Sequence, residues 1–202
     1  MPEEKLIVFA KTPRAGSVKT RLAASIGQVA ACDAYRHLVD LLLRRIERLE
    51  NVDLRISPDD GANEALPWLR KTWRSLPQGT GDLGERLQRG FAAAFAENAQ
   101  RVVVIGSDCP SVKPEDIEAA WLALKETDLV LGPSTDGGYW LIGLRTSQPS
   151  LFEGISWSSD RVLQETLART KAAGLRVHLL RELTDVDAEP QWREFLARQL
   201  DS

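Results

Sequence analysis

Residues 5–22 read KLIVFAKTPRAGSVKTRL, an apolar run that opens into a turn carrying Lys11, Arg14, Lys19 and Arg21. Leu6 to Ala10 are β-prone and almost wholly apolar, the pattern of a central strand buried on both faces of a parallel sheet. Thr12-Pro13 breaks the strand, Gly16 loosens the turn, and a helical pattern resumes near Lys19. Open α/β sheets bind ligands in the crevice beyond the carboxyl ends of their strands. Cations gathered there, beside the free N–H groups of a helix start, suit a polyphosphate. A solvated basic loop is the competing reading, and the position at a strand end favours the anion site.

Strands and helices alternate along the rest of the chain. Tyr35, Leu38, Val39, Leu42, Ile46 and Leu49 recur at helical spacing through roughly residues 28–49. VDLRIS (52–57) reads as a strand closed by the turn Pro58-Asp59-Asp60-Gly61, with a helix expected around 62–71. TWRSLPQ (72–78) is a weak strand limited by Pro77, and Leu83 to Phe95 mark a helix over about 83–97. RVVVIG (101–106) is a second buried strand. Pro114 opens a helix to about 126, with Glu115 and Asp116 at its positive end. DLVLGP (128–133) and GYWLIGL (138–144) are joined by a turn too short for a parallel crossover, so one of them runs antiparallel. Ser158 or Ser159 is positioned to cap a helix to Ala173, ended by Gly174. LRVHLL (175–180) is a late strand, and Glu189 to Leu200 a closing helix. The expectation is an α/β three-layer sandwich, a Rossmann-like mostly parallel sheet with one antiparallel strand, in a single domain over residues 1–202.

The 202 residues are 43% hydrophobic and 27% charged, enough for a full core, with no linker or repeat to divide them. A net charge of −3 argues against nucleic-acid or anionic-membrane binding, so the basic turn reads as a local site for a small anion. No apolar stretch reaches the length of a membrane span, and the first apolar run is too short for a signal peptide. Two cysteines, Cys32 and Cys109, make no disulfide framework and point to a reduced, cytoplasmic setting. His37 and His178 read as structural, and the six tryptophans as packing residues, with Trp140 and Trp157 near the crevice.

Asp108 lies just past VVVIG in the tight turn Gly106-Ser107-Asp108-Cys109-Pro110, at the carboxyl end of a central strand. Asp185 and Asp187, in TDVDAEP, follow the late strand in the same topological position. Magnesium is commonly held by one or two carboxylates together with substrate phosphates and water, so Asp108 and Asp187 are candidate ligands. Turn-making and N-capping are the alternative roles. Asp136, in Ser134-Thr-Asp-Gly-Gly138, is either the Asp-Gly turn residue or a contact for an acceptor.

Two patterns are excluded. Gly79-Thr-Gly81-Asp-Leu-Gly84 matches G-x-G-x-x-G, yet it follows the third strand, and residue 104, where an acidic residue belongs, is Val. Gly16-Ser-Val-Lys19-Thr20 lacks the Gly-Lys step of a P-loop, and position 11 is Lys where its first glycine belongs.

FAKTPRAGSVKTRL, GDLGERL, VVVIGSDCPS, LVLGPSTDGGYWLIGL, ISWSSDRVL and TDVDAEPQW together resemble the bacterial glycosyltransferase-A-like family, also named radical-SAM/selenodomain-associated transferases. That family sits in the nucleotide-diphospho-sugar transferase superfamily, and the resemblance runs from about residue 5 to 195. It implies a mixed sheet with one antiparallel strand. It also implies that Lys11, Arg14, Gly16, Lys19 and Arg21 form the phosphate-binding loop and that Gly81 and Asp82 approach the base. Asp108 and Asp187 match the family's metal positions. The implied function is a transferase dependent on Mg2+ or Mn2+, acting on a nucleotide-sugar donor and a small-molecule acceptor. In it Lys19 stabilises developing charge, and Asp136 positions or deprotonates the acceptor hydroxyl. The sequence is also distantly similar to the phospholactate and molybdenum-cofactor guanylyltransferases, so the alternatives are a guanylyltransferase-like nucleotidyltransferase that releases pyrophosphate and a non-catalytic nucleotide-binding domain. Usual nucleotidyltransferase openings are richer in glycine than this turn, which has Gly16 alone.

Overall fold

The computed structural model describes residues 3–200, so residues 1, 2, 201 and 202 of the expected domain lie outside the described part. In chain order the elements are β1 (Glu4–Lys11), α1 (Thr20–Ile26), α2 (Gln28–Arg45), β2 (Val52–Ser57), β3 (Arg74–Pro77), α3 (Leu83–Ala96), β4 (Arg101–Gly106), α4 (Pro114–Ala123), β5 (Leu129–Pro133), β6 (Tyr139–Leu144), α5 (Val162–Ala172), β7 (Val177–Leu179) and α6 (Glu189–Leu200). All seven strands join one sheet, in the order β3-β2-β1-β4-β6-β5-β7. Only β6 is reversed: it pairs antiparallel with both β4 and β5, while the other pairings are parallel. Among the described residues no helix is long and apolar enough to cross a membrane.

The apolar runs are continuous because both faces of the sheet are covered. Leu6, Val8 and Ala10 of β1 join α2 and α4 in one core with Leu54, Val103 and Ile105. Ile7 and Phe9, on the opposite face, pack with Leu87 and Phe91 of α3 and with Ile142 and Leu144. Each fully buried Leu or Ile contributes about 1.5–3 kcal/mol, so the central strands anchor the sheet and hold their carboxyl ends in fixed register.

Three expectations need correcting. The helix expected around 62–71 is two single 3-10 turns, Asp59–Ala62 and Leu66–Trp68. Pro67 lacks an N–H and disfavours helical geometry at Leu66, while Gly61 is packed so tightly that a Cβ would lie 1.8 Å from Thr12 Cγ2. The helix expected from Ser158 or Ser159 starts at Val162 behind Arg161, with no side-chain cap. Ser158 adopts φ +66°, and Ser159 Oγ donates to Ser156 O at 2.7 Å instead. The late strand shortens to Val177–Leu179, an exposed edge, and His178 is exposed on it. Pro77 is tolerated because β3 is the opposite edge.

Candidate active site

The carboxyl ends of β1 to β5 form one rim, and the reversal of β6 lets the short 134–138 turn return to the same rim. The basic turn is tied down by its backbone and by α2. Thr12 N donates to Ser57 O at 2.9 Å, and Ser17 N to Arg14 O at 3.0 Å. The Tyr35 hydroxyl accepts from Lys11 N at 2.7 Å and lies 3.0 Å from Lys11 O and 3.1 Å from Ser107 Oγ, bridging the β1 and β4 ends. Burial pushes its pKa up, so the phenol stays neutral. Cys32 Sγ donates to Pro13 O at 3.0 Å. Burial likewise pushes the Cys109 thiol up to about 12, which removes it as a nucleophile.

Lys19 is the centre of the site. It precedes α1 with φ +48°, a left-handed conformation uncommon for a side chain of this size. Its side chain is 2% exposed, and Nζ lies 2.8 Å from Asp108 Oδ1 and 3.8 Å from Asp187 Oδ1. Nζ has no aligned hydrogen-bond acceptor, so a buried ammonium is held between two carboxylates by charge alone. Arg21 Nη1 reaches Asp187 Oδ2 at 3.1 Å from an exposed position. Val186 N donates to Asp108 O at 3.0 Å, which fixes the last loop against the β4 end.

Asp185 points inward beside them and accepts from Ser134 Oγ at 2.9 Å. Burial raises its pKa to about 6, the Ser134 hydrogen bond opposes that, and repulsion from Asp108 and Asp136 adds to it. The alternation in TDVDAEP signals this pair, but the choice of Asp187 alone misses how strongly Asp185 is perturbed. Asp136 is exposed and accepts from Gly138 N at 2.9 Å, the local turn bond expected of an Asp-Gly step. Gly137, at φ +88°, is obligatory there, since a Cβ would sit 2.1 Å from Asp160 O.

Other predicted residues are placed differently. Arg14 turns from the rim to Glu64, with Nε 3.0 Å from Oε1, and to Asp60 at 3.1 Å. Gly16 closes the turn at φ +83°, and the exposed Lys11 side chain has no ion pair among the described residues. Asp82 caps α3: it accepts from Glu85 N at 2.9 Å, while its own N donates to Glu85 Oε2 at 2.8 Å. Gly81 is the close approach that this capping box needs. Trp140 packs under Gly132 and donates to Arg181 O at 3.2 Å, so it belongs to the core.

Among the described residues no group of three or more His, Cys, Asp or Glu side chains is arranged to hold a metal. Asp108 and Asp187 remain as two half-exposed carboxylates that face one cation. That is a donor set a hard ion completes with phosphate and water.

A sequence profile described as "Uncharacterized protein conserved in bacteria (DUF2064)" matches residues 42–159. Phosphoenolpyruvate guanylyltransferase from Chloroflexus aggregans is 30% identical over 128 residues, covering 61% of this chain and 61% of that protein. The chain therefore aligns with less than two thirds of that relative's length. A crystal structure from Desulfovibrio desulfuricans G20, provisionally described as a nucleotide-diphospho-sugar transferase, is 36% identical, with a TM-score of 0.85, covering 93% of this chain and 84% of that one. The 4-diphosphocytidyl-2C-methyl-D-erythritol synthase of Anaerococcus prevotii DSM 20548 superposes with a TM-score of 0.63, covering 99% and 100% at 12% identity, a likeness of fold alone. The mixed sheet is the nucleotide-diphospho-sugar transferase fold.

Proposed function

The chain belongs to the DUF2064 family, and from that premise we propose that it is a nucleotidyltransferase acting on a nucleoside triphosphate and a small phosphorylated acid. The observation that carries this reading is the convergence of Lys19 with Asp108 and Asp187, residues far apart in sequence, at the carboxyl rim of the sheet. Lys11, Lys19 and Arg21 supply positive charge for a polyphosphate while Arg14 is turned to Glu64 and Asp60, and Asp108, Asp136, Asp185 and Asp187 offset that charge. A triphosphate therefore needs an added cation.

Asp108 and Asp187 fit Mg2+ or Mn2+, because the position between them already holds one buried positive charge. The metal would neutralise the phosphates and the leaving group. Lys19, displaced from the carboxylates, would pair with phosphate oxygens instead, and Lys11 and Arg21 would add further charge at the rim. An oxygen of the acceptor's phosphate attacks the α-phosphorus. The bond from that phosphorus to the bridging oxygen breaks, and pyrophosphate leaves. No proton need be removed from an ionised phosphate acceptor, so in this reading Asp136 has no base role to play and keeps its turn-making bond from Gly138 N. The relative named phosphoenolpyruvate guanylyltransferase supports both the reaction class and an acceptor resembling phosphoenolpyruvate.

A second reading, glycosyl transfer from a nucleotide-sugar, is favoured by the description of the 36% identical structure. There Asp136 would deprotonate an acceptor hydroxyl and a nucleoside diphosphate would leave. Incubation with Mg2+, each nucleoside triphosphate and phosphoenolpyruvate, followed by 31P NMR, tests the proposal. Pyrophosphate and a new diphosphate-diester signal support nucleotidyl transfer. Nucleoside diphosphate released only from nucleotide-sugars supports the second reading and refutes the first.

A further inference from the structure

The strands β1 and β4 part at the rim, and a tyrosine hydroxyl stands in the gap. They pair in parallel from Glu4↔Arg101 to Phe9↔Gly106, and two residues further the same register would set Lys11 beside Asp108. β4 ends before that rung, and Asp108 O accepts from Val186 N instead. Successive N–H groups of a strand face opposite neighbours. Thr12 N donates to Ser57 O on the β2 side, so the Lys11 N–H, one residue earlier, faces the β4 side. Both backbone groups of Lys11 there meet Tyr35: Lys11 N donates to its hydroxyl at 2.7 Å, and the hydroxyl donates to Lys11 O at 3.0 Å. With its one proton so placed, the phenol oxygen accepts from Ser107 Oγ at 3.1 Å, on the residue before Asp108. One hydroxyl thus replaces a rung of the ladder, and Asp108 leaves the sheet with its carboxylate turned to Lys19.

The ring that carries this hydroxyl is fixed. Tyr35 is buried in the core that holds Val39, Leu54 and Ile105, and stands edge-on to Trp68 with centroids 6.4 Å apart. Trp68 is itself tied to Asp40 Oδ1 at 2.8 Å. On the same face of α2, Cys32 Sγ and Arg36 Nη2 both donate to Pro13 O, at 3.0 Å and 3.1 Å. The basic turn therefore keeps two ties to α2 besides Tyr35. Ser107 is buried, and its hydroxyl has no other partner among the described residues.

We propose that Tyr35 is a positioning residue of the candidate site, whose hydroxyl sets the separation between the basic turn and Asp108 through Lys11 and Ser107 without touching a ligand. The inference rests on the metal-dependent transferase reading above and adds the residue that holds its two halves in register. A metal shared between phosphate and carboxylate requires both at a fixed distance, and partners that orient a ligating group typically contribute about tenfold to a hundredfold in metal affinity. Tyr35→Phe keeps the ring in the core and removes the hydroxyl, so Ser107 and Asp108 lose their link to Lys11.

The test measures two affinities of the full chain. Electron paramagnetic resonance follows Mn2+ binding in the presence of ATP, CTP, GTP or UTP, and calorimetry in EDTA follows binding of the same nucleotides without metal. In Tyr35→Phe the Mn2+ affinity is expected to fall about tenfold, while metal-free nucleotide affinity is unchanged because Cys32 and Arg36 still hold Pro13. Ser107→Ala should give the same split, and the double variant no further loss, since both substitutions break one link. Where Tyr35→Phe fails to fold, the split in Ser107→Ala decides. A tyrosine that only supports the fold would lower both affinities together or neither. Either result, or losses that add in the double variant, overturns the positioning role and leaves the transferase reading standing. Unmodified protein whose Mn2+ affinity is raised by none of the four nucleotides overturns both.

Discussion

Replacing Asp185 with Asn should stabilise the protein at neutral pH, although it removes a charge from the centre of the candidate site. The carboxyl accepts one hydrogen bond, from Ser134 Oγ, and burial raises its pKa from 3.8 to about 6. The native state therefore holds this proton more tightly than the unfolded chain does. Its stabilising contribution is full below pH 3.8 and is lost as pH rises through about 6. At about 1.36 kcal/mol per unit, the ionised group costs about 3 kcal/mol at pH 7.5 and roughly 1 kcal/mol at pH 4.5. Asn keeps an oxygen to accept from Ser134 and carries no charge. Urea unfolding of both proteins at the two pH values measures the difference. With a slope near 2–3 kcal/mol/M, the gain at pH 7.5 is a midpoint shift of about 1 M. No gain at pH 7.5, or an equal gain at both pH values, refutes the account of Asp185 as a buried, strained charge.

Lys19→Met removes the ammonium that competes for Asp108 and Asp187; Mn2+ titration of the nucleotide-free protein should show affinity raised about tenfold, a change of about 1.4 kcal/mol, and weaker binding would count against the exchange of one cation for another. Asp108→Ala should abolish the metal-dependent rise in melting temperature given by nucleotides while leaving far-UV circular dichroism unchanged; an undiminished rise sinks the metal assignment. Glu64→Gln loosens Arg14 from a solvent-screened pair, so the urea midpoint should hardly move while nucleotide affinity rises a few-fold, and a fall would show that Arg14 is held by Glu64 for a reason other than waiting for phosphate. Gly61→Ala, which drives a methyl to 1.8 Å from Thr12 Cγ2, should destabilise by about 1–3 kcal/mol in urea, and a neutral result would mean that the turn yields.

Strands whose environment is uniform were legible from their residues. Leu6 to Ala10 and RVVVIG are buried on both faces, so composition alone identifies them, and the short link between residues 133 and 138 forces the reversal of β6. The turns at 59–68 were not legible, because their shape depends on Thr12, an element away, and on one proline. In the candidate site, the position of the cations and carboxylates at strand ends was readable as topology. Their partners were not. Arg14 pairs with Glu64, fifty residues on, and Asp185 with Ser134, fifty-one residues back; neither pairing leaves a local pattern. Asp59 read as a turn residue, and its bond from Gly79 N, twenty residues on, likewise leaves no local pattern.

The contact between Arg21 and Asp187 spans 166 residues. It closes on a segment fastened at several points beyond the three exposed residues of β7: Leu183 N donates to Pro133 O at 3.0 Å and Thr135 N to Leu183 O at 3.0 Å, Arg181 pairs with Asp116, and Val186 N and Asp185 tie the last loop to Asp108 and Ser134. Ser134, Asp108 and Lys19 are all joined to this one segment, so the candidate site is complete only when it is docked. Fraying of this tail and dismantling of the site are then the same event. Amide exchange at residues 183–187 should accordingly slow when nucleotide and metal are both present, which makes this stretch an intrinsic reporter of occupancy.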